Sequence, residues 1–386
     1  MSQPIAAPVA RGGRRDVRLD ALRGLFLLLM FSSHLGTPLT RLTVEPFGYV
    51  SSAEGFVFLA AFLAGIVYRK TYETKGYDAM RDKAWRRAGL IYLCHVGLLM
   101  AGFLFAYLVG ETGDPVSNIF KGFYDSPLTV MGLATLLLYQ PPLFDILPLY
   151  VIGLLATPLL LAYARRRGWG PIVGFSILVW LLERWGLKQD VEAWANLYLP
   201  VRTGSFDQLS WQLIWVGGLW LGHLTTVWRR NGIARPFPPL LVLCAIAGAV
   251  VLFLLRQHLW GVDWVRAYYH PLLAKWTLAP LRVANLAFLI VLLIRFAPRR
   301  LPAWLQNSLG LLGRHSLPVF CFQIPLSLAG IALIYYWELR GLPGTLLTVA
   351  GLGMLFLPAM LAERYSGAPL PVVSTVPVVT HSDQQA

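Results

Sequence analysis

Leu19-Asp20-Ala21-Leu22-Arg23-Gly24-Leu25, running on through Leu27-Leu28-Leu29-Met30-Phe31-Ser32-Ser33-His34, is an apolar stretch with an arginine and a histidine set inside it. Ionisable groups within a membrane span are costly, and their presence there points to function. Arg23 and His34 stand eleven residues apart. That is about three helical turns and roughly 16 Å along the axis, so both face one side of a helix. A polar stripe therefore crosses most of the bilayer, with Arg23 near the mouth where the chain enters and His34 near the opposite mouth.

The rest of the chain is built for lipid. Of its 386 residues 56% are hydrophobic and 13% charged, and the mean hydropathy is +0.59; a soluble domain of this length does not look like this. Apolar runs long enough to cross about 30 Å of hydrocarbon lie at 22–39, 53–68, 88–110, 142–163, 170–186, 210–228, 238–256, 278–296, 315–337 and 342–362. The expected fold is all-α, a polytopic bundle of about ten transmembrane helices. The run 128–140, which ends at Pro141-Pro142, is too short to cross and reads as a half-helix lying against the others.

The basic residues orient the bundle. With the N-terminus inside, Arg11, Arg14, Arg15 and Arg18, the group from Arg69 to Arg87, Arg165 to Arg167, Arg229, Arg230 and Arg235, and Arg295 to Arg314 all fall on the cytoplasmic side. That is the positive-inside pattern with both termini cytoplasmic. It accounts for the net charge of +14 without nucleic acid as a partner. The expected division is a basic cytoplasmic segment at 1–20, a transmembrane domain at 21–364 and a disordered tail at 365–386, rich in Pro, Ser, Thr and Gln. Cys94, Cys244 and Cys321 fall within spans, so no disulfide framework is expected. Nothing suggests a metal site, and no internal repeat suggests the halves of a transporter.

His34 is the candidate general base, since a neutral imidazole can take a proton from a hydroxyl and return it to a leaving group. The alternative is a histidine that bonds a neighbouring helix. Asp20 stands one turn before Arg23 and can pair with it. The pair either presents Arg23 to an anion or only anchors the helix. Glu54 opens the second helix at the outer level of His34, where a carboxylate either orients the imidazole or caps the helix N-terminus. Asp145 either binds sugar hydroxyls or satisfies backbone groups freed by Pro148. Asp207, Trp211 and Gln212, with Lys275, Arg282 and Asn285, add polar and aromatic groups at the outer mouth, the mixture a carbohydrate site uses. Single aromatics there also serve as interface anchors. Arg314 and His315 stand at the cytoplasmic end of the ninth helix, either to grip a phosphate or as positive-inside residues. A proton relay through His34, Glu54 and Asp145 is the transporter alternative.

Taken in order, several stretches resemble a known family. They are Leu19-Asp20 with Arg23-Gly24 and His34; Ala53-Glu54-Gly55-Phe56-Val57-Phe58-Leu59; Asp145-Ile146-Leu147-Pro148-Leu149-Tyr150; Trp211-Gln212; Pro280-Leu281-Arg282 with Asn285; and Leu312-Gly313-Arg314-His315-Ser316-Leu317-Pro318-Val319-Phe320. Together they resemble the OpgC-type integral membrane acyltransferases, which succinylate osmoregulated periplasmic glucans, and more distantly the acyltransferase-3 superfamily. The resemblance implies ten transmembrane helices in a bacterial inner membrane and an active site open toward the periplasm. It implies acyl-CoA, specifically succinyl-CoA, as co-substrate with no tightly bound cofactor. His34 and Glu54 would be catalytic. Arg23, Asp20, Arg314 and His315 would serve acyl-CoA, and Asp145, Asp207, Trp211, Gln212, Lys275, Arg282 and Asn285 the acceptor. Another surface polysaccharide or a lipid as acceptor would use the same mechanism.

Overall fold

The computed structural model describes residues 16–233, 236–257, 271–298 and 301–365. Most of the expected N-terminal segment and nearly all of the expected tail lie outside the described residues, as do Arg11, Arg14, Arg15, Arg235, Arg299 and Arg300. The described chain is helical: α1 (Val17–His34), α2 (Thr40–Thr43), α3 (Ser52–Val109), α4 (Pro115–Ile119), α5 (Lys121–Asp125), α6 (Pro127–Thr135), α7 (Ile146–Arg167), α8 (Gly170–Leu182), α9 (Leu187–Ala195), α10 (Gln208–Arg230), α11 (Pro239–Arg256), α12 (Pro280–Phe296), α13 (Ala303–Arg314), α14 (Ser316–Tyr336), α15 (Leu342–Met354) and α16 (Phe356–Tyr365). No strand forms among the described residues; the only pairing of extended backbone is an isolated bridge between Tyr139 and Arg202.

Local chemistry starts these helices where they start. Asp207 accepts hydrogen bonds from the backbone N–H groups of Leu209 (2.8 Å) and Ser210 (3.2 Å) at the head of α10, satisfying donors that have no partner within the helix. Ser51 and Glu54 form a reciprocal capping box at the head of α3. Pro115, Pro127, Pro239 and Pro280 open their helices, where the missing N–H costs nothing.

α3 is 58 residues long and is broken at Gly76, whose φ of 84° and ψ of 179° lie outside the helical region. A side chain rarely adopts that φ, so glycine makes the break possible. The two halves double back. Phe56 meets Tyr150 of α7 with ring centroids 5.8 Å apart, and Trp85 Nε1, in the second half, donates to the Leu155 carbonyl of the same helix at 3.2 Å. The separate runs 53–68 and 88–110 thus appear as two arms of one folded-back element.

α3 packs chiefly on α10 and α7, and α1 packs chiefly on α13. The first contact uses small residues. A Cβ on Gly218 of α10 would lie 2.6 Å from Ala61 Cβ and 2.7 Å from the Phe58 carbonyl oxygen, and one on Gly65 would lie 2.5 Å from the Leu219 carbonyl oxygen. Helices in lipid gain their attraction from such close backbone approach. Gly24 and Gly313 do the same where α1 crosses α13, which fixes the height of Arg23 and His34 in the bundle. Among the helices longer than ten residues, α13 is the one that lies outside every expected apolar run.

Each of the ten expected runs overlaps a described helix. Five segments are long and apolar enough to cross a membrane: Ser52–Val109, Ile146–Arg167, Pro239–Arg256, Ser316–Tyr336 and Leu342–Tyr365. A sixth is the pair Gly170–Trp185 and Leu187–Ala195, bent by 65°. The count is smaller than ten for physical reasons. α1 carries Arg18, Asp20 and Arg23, α12 is 17 residues long, and the two arms of α3 fall within one 58-residue segment. The short run 128–140 is α6, nine residues long, as its length predicts.

Candidate functional site

His34 is the last residue of α1, and the chain turns away through Leu35 and Gly36. Its half-buried ring lines a cavity of about 660 Å³ together with Pro115, Ile331, Ile334, Tyr335, Tyr336, Glu338 and Arg340. No hydrogen bond ties the imidazole to another described residue. A histidine that served only to join helices would have such a bond. Tyr336 Oη donates to Asp114 Oδ2 at 2.6 Å, and Asp114 in turn accepts from the N–H groups of Val116 (2.7 Å) and Ser117 (2.9 Å) at the head of α4. Burial works against the Asp114 charge, but the bonds from Thr112, Tyr336 and those backbone groups hold its carboxyl down at about 2. Asp114 stays ionised and fixes the Tyr336 ring at the cavity wall.

Glu54 is wholly buried, and its bonds go elsewhere. Arg282 Nε and Nη2 donate to Glu54 Oε1 at 2.9 and 2.6 Å, while the Ser51 N–H and hydroxyl donate to Oε2. Arg282 Nη1 donates to Glu45 Oε1 at 2.7 Å, and Arg256 Nε donates to Glu45 Oε2 at 2.6 Å. A chain of alternating charges thus runs from α3 through the loop before it to α12 and α11. Of the two readings of Glu54, the helix cap is formed and the hydrogen bond from the His34 ring is not, because Arg282 and Ser51 occupy the carboxylate. Lys275 is within electrostatic reach of both His34 and Glu54, and its ammonium sits 4.9 Å from the Trp276 ring centroid.

The other expected site residues divide in the same way. Asp20 is buried where α1 meets Gly313, and Asp20 and Arg23 are both engaged. Arg23 lies in electrostatic reach of Tyr150, whose buried hydroxyl has no hydrogen-bond partner among the described residues. Asp145 precedes α7 and accepts the Ser205 N–H at 2.8 Å; burial pushes its carboxyl up. It holds the loop before α10 and does not face the His34 cavity. Asp207 caps α10. Trp211 is wholly buried with Nε1 donating to the Trp276 carbonyl at 2.9 Å. Gln212 exchanges bonds with Ser176 of α8, accepting its hydroxyl at 2.7 Å and donating to its carbonyl at 2.8 Å. Asn285 Oδ1 accepts the Tyr49 N–H at 2.7 Å. Arg314 and His315 both bind Glu363 of α16.

Of the expected residues, His34 is thus the one that lines this cavity, and most of the rest lock helices together. The reading of the residues missed Glu45, the second partner of Arg282, and it missed Tyr335, Tyr336, Glu338 and Arg340. The run Tyr335-Tyr336-Trp337-Glu338 at the end of an apolar span was the available signal, since aromatics and charges meet there at one height.

No curated protein and no solved structure matches the chain. One family model does, and it covers residues 15–367, from the head of α1 to the end of α16; its description is OpgC protein. A match over nearly the whole of the described bundle makes the chain a member of the OpgC family.

Proposed function

We propose that the chain is an O-acyltransferase of the bacterial inner membrane. It moves an acyl group, succinyl, from acyl-CoA on the arginine-rich side to hydroxyls of periplasmic glucans. The observation that carries this reading is His34, a histidine with no hydrogen-bond partner in the described chain, at the wall of an aromatic and polar cavity. Family membership supports the reaction class.

An acceptor hydroxyl in the cavity gives its proton to the His34 ring as its oxygen attacks the thioester carbonyl. The tetrahedral intermediate collapses with cleavage of the carbon–sulfur bond. The imidazolium returns the proton to the departing thiolate, leaving an ester and a free thiol. Tyr335 and Tyr336 offer ring faces to the apolar side of a sugar, and Glu338 and Arg340 bond its hydroxyls. Lys275, within electrostatic reach of the His34 ring, stabilises negative charge developing on the carbonyl oxygen. Glu54 acts at one remove, by holding Arg282 and the head of α3. Arg23 and Tyr150 lie deeper, on the path a donor takes from the arginine-rich side.

Mass spectrometry of periplasmic glucans from cells with and without the chain tests this function. An ester substituent present only with the chain is expected, at the mass of succinyl. Glucans of equal mass in both strains would overturn the glucan as acceptor.

A further inference from the structure

A second cavity, of about 550 Å³, opens at the end of the bundle away from His34, where the first arm of α3, the end of α7 and the end of α10 converge. Its walls carry Arg69, Tyr72 and Glu73 from α3, Arg165 from α7, and His223 and Arg230 from α10. Three guanidiniums face one carboxylate, so the cavity holds an excess of positive charge.

The arginines differ in how they are occupied. Arg69 is spent on structure: Nε donates to Glu73 Oε1 at 2.8 Å, and Nη1 donates to the His223 carbonyl at 2.9 Å and to the Thr226 hydroxyl. Arg230 Nη2 donates to Glu73 Oε2 at 2.7 Å, and its side chain is 63% exposed. Arg165 makes no ion pair or hydrogen bond with a described residue. Its guanidinium lies over the Tyr72 ring, 4.8 Å from the centroid. An arginine kept only to complement the end of α7 would turn back to the last carbonyls. This one lies over an aromatic ring with its donors free. A planar cation on a phenol, next to a half-exposed arginine, is a surface for a flat ring and for phosphate oxygens.

A closely packed, buried seam of α7 and α10 lies between this cavity and Tyr150. From Leu161 at its inner wall, the α7–α10 seam runs through Thr157, whose hydroxyl accepts from Trp215 Nε1 at 3.1 Å. Next comes Tyr150, 5.7 Å from the Trp215 ring, and Tyr150 is the residue that Arg23 reaches.

We infer that this cavity seats the nucleotide end of the acyl donor, with Arg165 and Tyr72 against the base and Arg165 and Arg230 against the phosphates. The inference rests on acyl-CoA as the donor. It relocates the donor's charged end from Arg314 and His315, which Glu363 occupies, to a cavity where Arg165 keeps its donors open and Arg230 gives one to Glu73.

The test uses the full chain in lipid nanodiscs and calorimetric titration with coenzyme A and with 3′-dephospho-coenzyme A. The wild type is expected to bind coenzyme A, and to bind the dephospho form more weakly. Arg165→Ala and Tyr72→Leu are each expected to weaken coenzyme A binding about tenfold, with Arg165→Lys between them and the wild type. His34→Ala is expected to bind as the wild type does. Thermal unfolding of each variant confirms that it is folded. Wild-type affinity in both Arg165→Ala and Tyr72→Leu would overturn this cavity as the site while leaving acyl-CoA as donor. A wild-type chain that does not bind coenzyme A would overturn the donor reading and the inference with it.

Discussion

Arg282 of α12 donates two hydrogen bonds to a single oxygen of Glu54, from Nε at 2.9 Å and from Nη2 at 2.6 Å, with both side chains out of contact with solvent. A third donor of the same guanidinium goes to Glu45 at 2.7 Å. Two helices and a loop are therefore tied at one charged centre inside the bundle.

Removing one member of a buried ion pair leaves the other charged and unsatisfied, which costs about 3–5 kcal/mol. Arg282→Met is expected to lose that much stability in detergent unfolding. Replacing Glu54 by Leu in the same chain should recover most of it. A single Arg282→Met variant as stable as the wild type would show that the pair does not hold α3 and α12 together.

Asp114 gives a pH dependence with a definite sign. Its carboxyl is lowered from an ordinary 3.8 to about 2 in the folded chain. A depressed acid contributes stability that is complete above the ordinary value and is lost as the pH falls through the folded one. The wild type should therefore lose more thermal stability than Asp114→Asn between about pH 5 and about pH 2. Parallel losses in the two proteins would contradict the bonds drawn from Thr112, Tyr336 and α4.

The α3–α10 crossing has no room for a side chain at Gly218, where a Cβ would lie 2.7 Å from the Phe58 carbonyl oxygen. Gly218→Leu is expected to cost about 1–3 kcal/mol by overpacking and to lower the unfolding midpoint. Because α10 carries Arg230 and His223 of the second cavity, coenzyme A binding should fall with it. An unchanged midpoint would mean the helices sit farther apart than drawn.

Tyr335 lines the His34 cavity, its ring 5.3 Å from that of Tyr336, and its hydroxyl bonds no other described residue. Tyr335→Ala should raise the acceptor KM about tenfold, the loss of about 1.4 kcal/mol of ring contact, with the donor KM unaltered. An increase confined to the donor KM would assign the cavity to the other substrate.

What the amino-acid sequence disclosed follows the range of each interaction. Helix positions were legible from apolar runs, and the cap reading of Glu54 from a carboxylate at the head of a helix, because both are decided within a few residues; the cap made by Asp207 was not legible in the sequence, which places it in the acceptor site. The break at Gly76 and the doubling back of α3 fit two runs separated by a charged stretch. Partners were not legible. Glu54 had two local readings, and the structure realises the cap and adds Arg282, 228 positions away in the chain. Gln212 and Trp211 have the composition of a sugar site, yet they bond Ser176 and the Trp276 carbonyl. Residue type alone does not distinguish a ligand contact from a bond between helices. α13 was hidden because its apolar face is short and interrupted by polar residues, so no continuous run marked it.

In the proposed reaction His34 takes the acceptor's proton. The direct measurement is the rate of transfer from radiolabelled succinyl-CoA to glucan by the purified chain in liposomes, compared with His34→Ala at matched thermal stability. A rate lower by about 10²–10⁴ is expected in the variant, with coenzyme A affinity retained. A His34→Ala protein that transfers the label at the wild-type rate would contradict that role for His34.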